Sequence, residues 1–336
     1  MAELPARAAV VGCGVIGAAW AARMRLRSVD VAVYDPSPTA SEVLDAVMAD
    51  AVLAWAALGL ATDQVGSLTI VDSIAEAVDG AGLVQESVPE RIDIKHSTLA
   101  AIDDVAPLNA LIASSTSGYQ PSDLATAMNH PERFVVAHPF NPVYLLPLVE
   151  VVGGVQTSLG TIDRAMDTYR ALGMHPLHVR KEIDAFIADR LLEAVWREAL
   201  WLVNDGIATT EEIDDAIRFG FGLRWAQMGT FETYRIAGGE GGMRHFMAQF
   251  GPALKWPWTK LMDTPELTDD LIDTIADQSD AQAGDRSIRD LAQERDRNLV
   301  AILSALESVG AGAGQTLAQL RELQQPSRHK HVKMLR

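Results

Sequence analysis

Three glycines near the N-terminus constrain the fold more than any other feature, because they follow the spacing GxGxxG: Gly12, Gly14 and Gly17. They stand between residues 7–12, whose apolar run predicts a β-strand, and residues 15–26, whose pattern predicts an α-helix. Glycines at these places allow a tight turn, let a pyrophosphate approach the backbone and let the helix pack closely on the strand. Residues 29–34 predict a second strand, so we expect a βαβ unit that binds a dinucleotide.

The residues around this turn also predict which dinucleotide is bound. Val15 and Ile16 begin the predicted helix, whose N-terminal N–H groups would face the phosphates. Asp35 ends the second predicted strand, where its carboxylate would accept the ribose hydroxyls and repel a 2′-phosphate. No arginine follows closely to reverse that preference. The expected cofactor is therefore NAD rather than NADP.

Strand and helix patterns alternate through the first half of the chain. Further strands are predicted at residues 68–71, 83–86, 110–114, 134–138 and 148–152, and helices at 39–60 and 92–105. This alternation implies an α/β fold, with a parallel, doubly wound Rossmann-type sheet covered on both faces and a ligand at the carboxyl ends of its strands.

After residue 179 the pattern becomes helical, and we expect an all-α C-terminal domain. Apolar residues at four-residue spacing predict a long helix over residues 185–204, and another helix is predicted over 209–219. The predicted organisation is an NAD-binding domain over residues 1–181, a helical domain for substrate and dimerisation over 182–325, and a disordered basic tail over 326–336.

Length and charge limit the possible partners. At 336 residues the chain exceeds the ~250–300 residues at which single cores stop growing, so its length favours two domains. The net charge is −17, which argues against nucleic acid as a partner. Residues 28–90 contain no Lys or Arg, and their acidic side chains form either a solvated face or a field that steers a cationic ligand. These side chains are Asp30, Asp35, Glu42, Asp45, Asp50, Asp63, Asp72, Glu76, Asp79, Glu86 and Glu90.

Cysteine usage and targeting signals indicate a cytoplasmic protein. Cys13 is the only cysteine, so no disulfide can form within the chain. The N-terminus has no leader pattern, and the apolar run over residues 51–61 is short enough to be a buried helix, so no membrane association is expected. His329 and His331 lie in the predicted tail without further ligands nearby, and no metal is expected.

A histidine and an acid on two predicted strands form the candidate catalytic pair. His138 ends the strand over residues 134–138, at a carboxyl strand end where a general base could act. Glu150 lies between valines in the strand over 148–152, and burying an unpaired charge there is expensive. An imidazolium formed during catalysis would be its partner. A structural salt bridge to an arginine is the alternative.

A serine-rich loop, residues 114–118, follows another predicted strand. Such a loop is often only a connection. Beside His138, however, the hydroxyl of Ser117 could hold a substrate oxygen that gains charge as an alcohol is deprotonated. Together with the dinucleotide turn, these groups predict oxidation of an alcohol with transfer of a hydride to NAD.

Over nearly its whole length, to about residue 320, the chain resembles the 3-hydroxyacyl-CoA dehydrogenase superfamily. The resemblance rests on residues 12–17, 114–118, 136–142 and 148–150. It implies that Ser117 binds the substrate oxygen, that His138 is the base oriented by Glu150, and that Glu90 and Lys95 lie along the cofactor. It also implies a homodimer formed through the second domain.

Two positions depart from the pattern of this superfamily. The family's catalytic set ends in an asparagine early in the second domain, where this chain has Asp189, and Ser115 replaces another usual asparagine. Asp189 is therefore expected to take the place of the fourth catalytic residue. The two departures favour a substrate other than an acyl-CoA.

Within the superfamily, residues 138–147 and 221–234 are most similar to members that oxidise L-carnitine. Aromatic faces recognise a quaternary ammonium, although large aromatics also serve as core or dimer contacts. The candidates are Trp196, Trp201, Trp225, Phe231, Tyr234, Trp256 and Trp258. Arg190 and Arg224 are candidates for the substrate carboxylate or for structural ion pairs.

Three alternatives stay open. The same machinery could act on a sugar acid such as L-gulonate, or on a short 3-hydroxyacyl-CoA. A protein that binds NAD without turnover, as in the crystallin-like members of the superfamily, is the third.

Overall fold

A computed structural model describes residues 4–250, 259–260 and 265–324, and the predicted tail over 326–336 lies outside them. The chain forms two compact units. Among the described residues, the first unit contains residues 4–187, 296–308 and 313–324, and the second contains 188–250, 259–260, 265–295 and 309–312. The predicted boundary at residue 181 stays a prediction. In the structure, the last two helical segments pack with the first unit.

The first unit is built on one eight-stranded sheet with the order β3-β2-β1-β4-β5-β6-β7-β8. β1 and β4 are neighbours at the point where the strand order reverses, which is where open α/β sheets bind ligands. The strands are β1 (Arg7–Val11), β2 (Asp30–Tyr34), β3 (Leu68–Ile70), β4 (Leu83–Glu86), β5 (Leu111–Ser114), β6 (Phe134–Pro139), β7 (Leu148–Val152) and β8 (His175–Val179).

Helices connect these strands and continue through the second unit. In the first unit they are α1 (Val15–Leu26), α2 (Ala40–Ala57), α3 (Ile74–Val78), α4 (Ile92–Val105), α5 (Pro121–Ala125) and α6 (Leu159–Ala171), with a 3₁₀ turn at Pro131–Arg133. They continue as α7 (Ala188–Asn204), α8 (Thr210–Ala216), α9 (Gly222–Trp225), α10 (Thr230–Ala237), α11 (Gly242–Phe250), α12 (Asp269–Ala283), α13 (Ile288–Ser308) and α14 (Ala313–Gln324). A π-helical turn covers Ile217–Phe221, and a 3₁₀ turn covers Gly239–Gly241. Within the described part of the chain, no helix has the length and apolar character needed to span a bilayer.

Both faces of the sheet are covered, as the uninterrupted apolar character of its strands predicts. Successive residues of β1 enter different cores: Ala8 and Val10 pack with residues of α1 and α2, whereas Ala9 and Val11 pack with residues of α3, α4 and α5. Trp20 and Trp55, both fully buried, belong to the first of these cores. The predicted α/β class with a doubly wound sheet is confirmed.

The prediction of a wholly parallel sheet is wrong for one pair of strands. β7 runs antiparallel to β6, while the other pairs in the sheet are parallel. Only eight residues separate Pro139 from Leu148, and a parallel crossover needs a dozen or more. The reversal places His138 directly opposite Glu150 in the register.

Residues 159–179 form a helix and a strand, α6 and β8, that the sequence patterns did not predict. α6 crosses between β7 and β8, which are parallel neighbours. Ser158 caps the helix by accepting a hydrogen bond from the Thr161 N–H at 3.1 Å. β8 contains two exposed histidines, His175 and His178, so it lacks the apolar run that identified the central strands.

The long helix predicted to begin at residue 185 begins at Ala188. Ala185 and Phe186 instead adopt positive φ angles of 58° and 50°. This left-handed backbone costs an L-residue with a side chain about 1–2 kcal/mol, because Cβ approaches the following carbonyl oxygen.

Ala185→Gly is expected to raise the free energy of unfolding by about 0.5–1 kcal/mol, because relief of the left-handed strain exceeds the added flexibility of glycine in the unfolded chain. Equilibrium denaturation measures the change. Ala56→Gly is the matched control, since Ala56 is exposed within helix α2. There the same replacement should lower stability by about 0.5–1 kcal/mol. A loss of stability at both positions would contradict the assignment of strain.

Candidate functional site

The glycine turn leaves no room for side chains at its first and last positions. Gly12 has a φ of +96° and donates its N–H to the Tyr34 carbonyl at 2.8 Å. A Cβ at Gly12 would lie 2.6 Å from the carbonyl carbon of Ser87, and one at Gly17 would lie 1.9 Å from the Gly12 oxygen. At Gly14, by contrast, a Cβ would meet no described atom within 4 Å. The backbone at Gly14 is therefore open to a ligand.

Helix α1 begins at this opening. Gly14 is its N-cap, and no side chain caps the first N–H groups, those around Val15 and Ile16. Uncapped N–H groups and the positive end of the helix dipole favour an anion such as a pyrophosphate. The turn and the helix thus fit the central phosphates of NAD.

Asp35 closes the other side of the turn. Its Oδ2 accepts the Cys13 N–H at 2.6 Å, and its Oδ1 accepts the Ser37 N–H at 2.7 Å. Burial and, secondly, Asp35 raise the pKa of the Cys13 thiol to about 11, so this thiol stays protonated at neutral pH. The structure thus holds the Asp35 carboxylate firmly at the end of β2.

A cavity of about 770 Å³ lies between the glycine turn and the segment that follows β4. Asp35 is part of its wall, where a carboxylate can accept ribose hydroxyls. The lining residues are Val11, Gly12, Gly14, Tyr34, Asp35, Pro36, Ser37, Ile74, Ser87, Val88, Pro89, Ile94, Ser97 and Thr98. The cavity, the open backbone at Gly14 and the acid together fit a dinucleotide without a 2′-phosphate.

Lys95 is buried near the carboxyl end of β4 and links two acids. Its side chain is 1% exposed, and its Nζ lies 3.0 Å from Oε1 of Glu86 and 3.2 Å from Oε2 of Glu90. It also donates to the Val88 carbonyl at 3.3 Å. Glu86 is fully buried and accepts a further hydrogen bond from the Ser114 hydroxyl.

Glu90 in turn holds the loop that carries Ser117. The carboxylate accepts hydrogen bonds from the Thr116 hydroxyl and from the backbone N–H groups of Ser117 and Gly118, the latter two at 3.2 Å. Ser117 itself is exposed. The structure therefore brings Glu90 and Lys95 to the serine loop, and their role along the cofactor stays a prediction.

His138 and Glu150 meet across the antiparallel pair β6 and β7. Both residues are buried, with His138 5% and Glu150 0% exposed, and His138 Nδ1 lies 3.1 Å from Glu150 Oε2. Oε1 of Glu150 accepts the Ile187 N–H at 2.9 Å. Phe140 and Phe186 pack against the imidazole, with ring centroids 5.0 and 5.6 Å away. The arrangement fixes one nitrogen of a buried imidazole on a carboxylate.

The remaining predicted site residues lie in the second unit. Asp189 lies in the first turn of α7, and Arg190 follows it. Trp201 stacks under the ammonium of Lys260, whose Nζ is 3.9 Å from the ring centroid, while Tyr234 stacks on Phe246 with centroids 4.6 Å apart. Trp196, Trp225 and Phe231 are exposed, Arg224 lies in α9, and Trp256 and Trp258 fall outside the described residues.

Sequence reasoning missed three contributors to the site. Glu86 is the buried anchor of Lys95, Thr116 holds the serine loop on Glu90, and Phe186 packs on His138. Glu86 could have been found, because an acid that ends a buried strand requires a cationic partner. Phe186 had no comparable signal in the sequence.

Comparison with known proteins identifies the family. The model of the 3-hydroxyacyl-CoA dehydrogenase NAD binding domain matches residues 7–183, and the model of the C-terminal domain of 3-hydroxyacyl-CoA dehydrogenase matches residues 186–277. Among solved structures, the chain is similar to 5-formyl-3-hydroxy-2-methylpyridine 4-carboxylic acid 5-dehydrogenase, an NAD⁺-dependent dismutase. The TM-score is 0.76 at 29% identity, covering 91% of this chain and 99% of that one.

Two relatives have sequences still more similar to this chain. An L-carnitine dehydrogenase of Mesorhizobium japonicum is 59% identical over 312 residues, covering 92% of this chain and 85% of that protein. An L-carnitine dehydrogenase/betainyl-CoA thioesterase of Agrobacterium fabrum is 60% identical over 310 residues, but the chain spans only 63% of its length. The chain thus belongs to the 3-hydroxyacyl-CoA dehydrogenase family and is an NAD-dependent dehydrogenase.

Proposed function

We propose that this protein oxidises the 3-hydroxyl of L-carnitine to give 3-dehydrocarnitine, with NAD as the oxidant. The buried pair of His138 and Glu150 is the observation that carries the chemistry, because it supplies an oriented base in the unit that fits the dinucleotide. The choice of substrate rests on the named activities of the two relatives.

In this proposal His138 is the general base. Its Nδ1 faces Glu150, so the proton of the substrate hydroxyl goes to Nε2. Glu150 keeps the ring oriented and stabilises the imidazolium that forms. Bound NAD supplies the acceptor for the hydride that leaves the carbinol carbon.

Ser117 and Asp189 complete the proposed set. The hydroxyl of Ser117 donates to the substrate oxygen, and Glu90 fixes the backbone of its loop for that task. Asp189 is proposed as the fourth member of the set, where its charge suits a cationic substrate. Aromatic faces recognise a trimethylammonium, and Trp196, Trp225 and Phe231 are exposed aromatic candidates for this role.

A substrate panel tests this function through NADH production. L-carnitine is expected to give a kcat/KM at least about tenfold above that of 3-hydroxybutyrate, which has the same hydroxyl and carboxylate but lacks the ammonium. D-carnitine is the control for charge, because it carries the same ammonium and carboxylate as L-carnitine and differs only in the configuration of the carbinol carbon. A kcat/KM for L-gulonate or 3-hydroxybutyryl-CoA above that for L-carnitine would contradict the proposal and identify that compound as the better substrate. Binding of NADH without turnover of any hydroxy acid would favour the crystallin-like alternative.

The catalytic pair is tested by His138→Ala and Glu150→Gln. His138→Ala should lower kcat by about 10²- to 10⁴-fold while NADH still binds, because only the proton acceptor is lost. Glu150→Gln should lower kcat/KM more than about tenfold and shift its pH profile, since the imidazolium loses the anion that orients and stabilises it.

The matched control is Glu132→Gln, which removes the acid of an exposed pair, with His130 Nδ1 3.7 Å from Glu132 Oε1. Exposed pairs contribute little, so its pH profile should be unchanged. Normal turnover in His138→Ala would exclude this residue as the base. An unshifted profile in Glu150→Gln would instead mean that the acid is structural.

We further propose that the protein forms a homodimer through its helical unit. Among the described residues of that unit, several large apolar side chains are exposed, and a dimer interface would cover them. They include Leu191, Leu192, Phe219, Leu223 and Ile236. Sedimentation equilibrium is expected to give twice the mass of one chain, and a single-chain mass at micromolar concentration would rule the dimer out.

A further inference from the structure

A chain of hydrogen bonds runs from the core of the first unit to the wall of the cofactor cavity. Its centre is Ser115, whose Oγ lies 3.1 Å from Trp20 Nε1, 2.8 Å from Gln85 Nε2 and 2.9 Å from Ser87 Oγ. Gln85 is fully buried, and its Oε1 accepts the Tyr169 hydroxyl at 2.6 Å. Three of these bonds connect the buried phenol of Tyr169 to Ser87, which lines the cavity, and the fourth joins Trp20 to Ser115.

The direction of each bond follows from the chemistry of the groups. An indole nitrogen and an amide nitrogen can only donate, so Trp20 and Gln85 occupy both acceptor positions of the Ser115 hydroxyl. Burial raises the pKa of Tyr169, which therefore stays protonated and donates to Gln85. The single hydrogen of Ser115 must then point to Ser87.

Ser87 is left with one hydrogen to donate. Its Oγ accepts from Ser115, and within the described residues no group accepts the hydrogen of its own hydroxyl. Its backbone is fixed, since the Ser87 N–H donates to the Val11 carbonyl at 2.7 Å. A Cβ added at Gly17 would come within 3.2 Å of the Ser87 Cβ, which places this serine against the glycine turn.

We propose that Ser87 is a cofactor-binding residue whose hydroxyl donates to an oxygen in the central part of the dinucleotide. The acceptor is either on the diphosphate or on the ribose that carries the nicotinamide. Ser115, Gln85 and Trp20 act as positioning residues, because they fix the Ser87 hydroxyl as a donor toward the cavity. The inference concerns cofactor binding and does not depend on which alcohol is oxidised, so its failure and that of the carnitine proposal are separable.

The test is the dissociation constant of NADH, measured by fluorescence titration without substrate. Ser87→Ala is expected to bind NADH about tenfold or more weakly, because a hydrogen bond to a charged or strongly polar acceptor is lost. Ser97→Ala is the matched control. Ser97 also faces the cavity, but its hydroxyl donates to the Ile94 carbonyl at 2.9 Å, so its loss should change NADH affinity less than about twofold.

Fragments of the cofactor locate the acceptor. An equal loss of affinity for ADP and ADP-ribose in Ser87→Ala would place the acceptor on the diphosphate, whereas a loss confined to ADP-ribose would place it on the second ribose. Ser115→Ala keeps the Ser87 hydroxyl but removes the group that orients it, so we expect a smaller loss of NADH affinity. Wild-type affinity for NADH in a folded Ser87→Ala, verified by circular dichroism, would overturn the proposal. Wild-type affinity in Ser115→Ala would overturn the orienting role.

Discussion

The candidate site depends on the reversal of one strand. Because β7 runs antiparallel to β6, His138 and Glu150 stand opposite each other and their side chains point to the same face. A parallel β7 would have required a long crossover and would have removed this pairing. The carboxylate of Glu150 is completely buried, and such a charge is tolerated only with donors on its oxygens. His138 Nδ1 and the Ile187 N–H are the donors that meet this requirement.

A second charge network, in which Lys95 and Glu86 are buried and Glu90 is exposed, supports the loop of Ser117. Lys95 neutralises Glu86 and reaches Glu90, and Glu90 uses its other oxygen to hold the loop. Removing Lys95 would leave the buried carboxylate of Glu86 without its cation, which is strongly destabilising, so this pair holds Lys95 in reach of Glu90. Support of this kind would keep the hydroxyl of Ser117 in place for the proposed role, since small displacements of catalytic groups are costly for turnover. Ser117 can thus be exposed and still be well positioned.

Local patterns predicted the parts of this architecture that short segments encode. The spacing of Gly12, Gly14 and Gly17 predicted the turn, and the apolar runs predicted the central strands close to their observed bounds. The sequence could indicate that Glu86 needs a cation, but it could not identify Lys95 as the partner, because the two side chains meet only after β4 and α4 have packed together. β8 was missed because His175 and His178 interrupt its apolar pattern. The direction of β7, however, was readable from the short connection before Leu148.

The start of α7 is where tertiary packing overrides local preference most clearly. Two left-handed residues, Ala185 and Phe186, cost about 2–4 kcal/mol together. Full burial of the Phe186 side chain contributes about 1.5–3 kcal/mol, and the hydrogen bond from Ile187 to the Glu150 carboxylate contributes about 1.5–3 kcal/mol, so the strain is offset. An unstrained helix over residues 185–187 would follow a different backbone path, which would not offer Glu150 the same Ile187 N–H. The strained segment is therefore part of what fixes the carboxylate that faces His138.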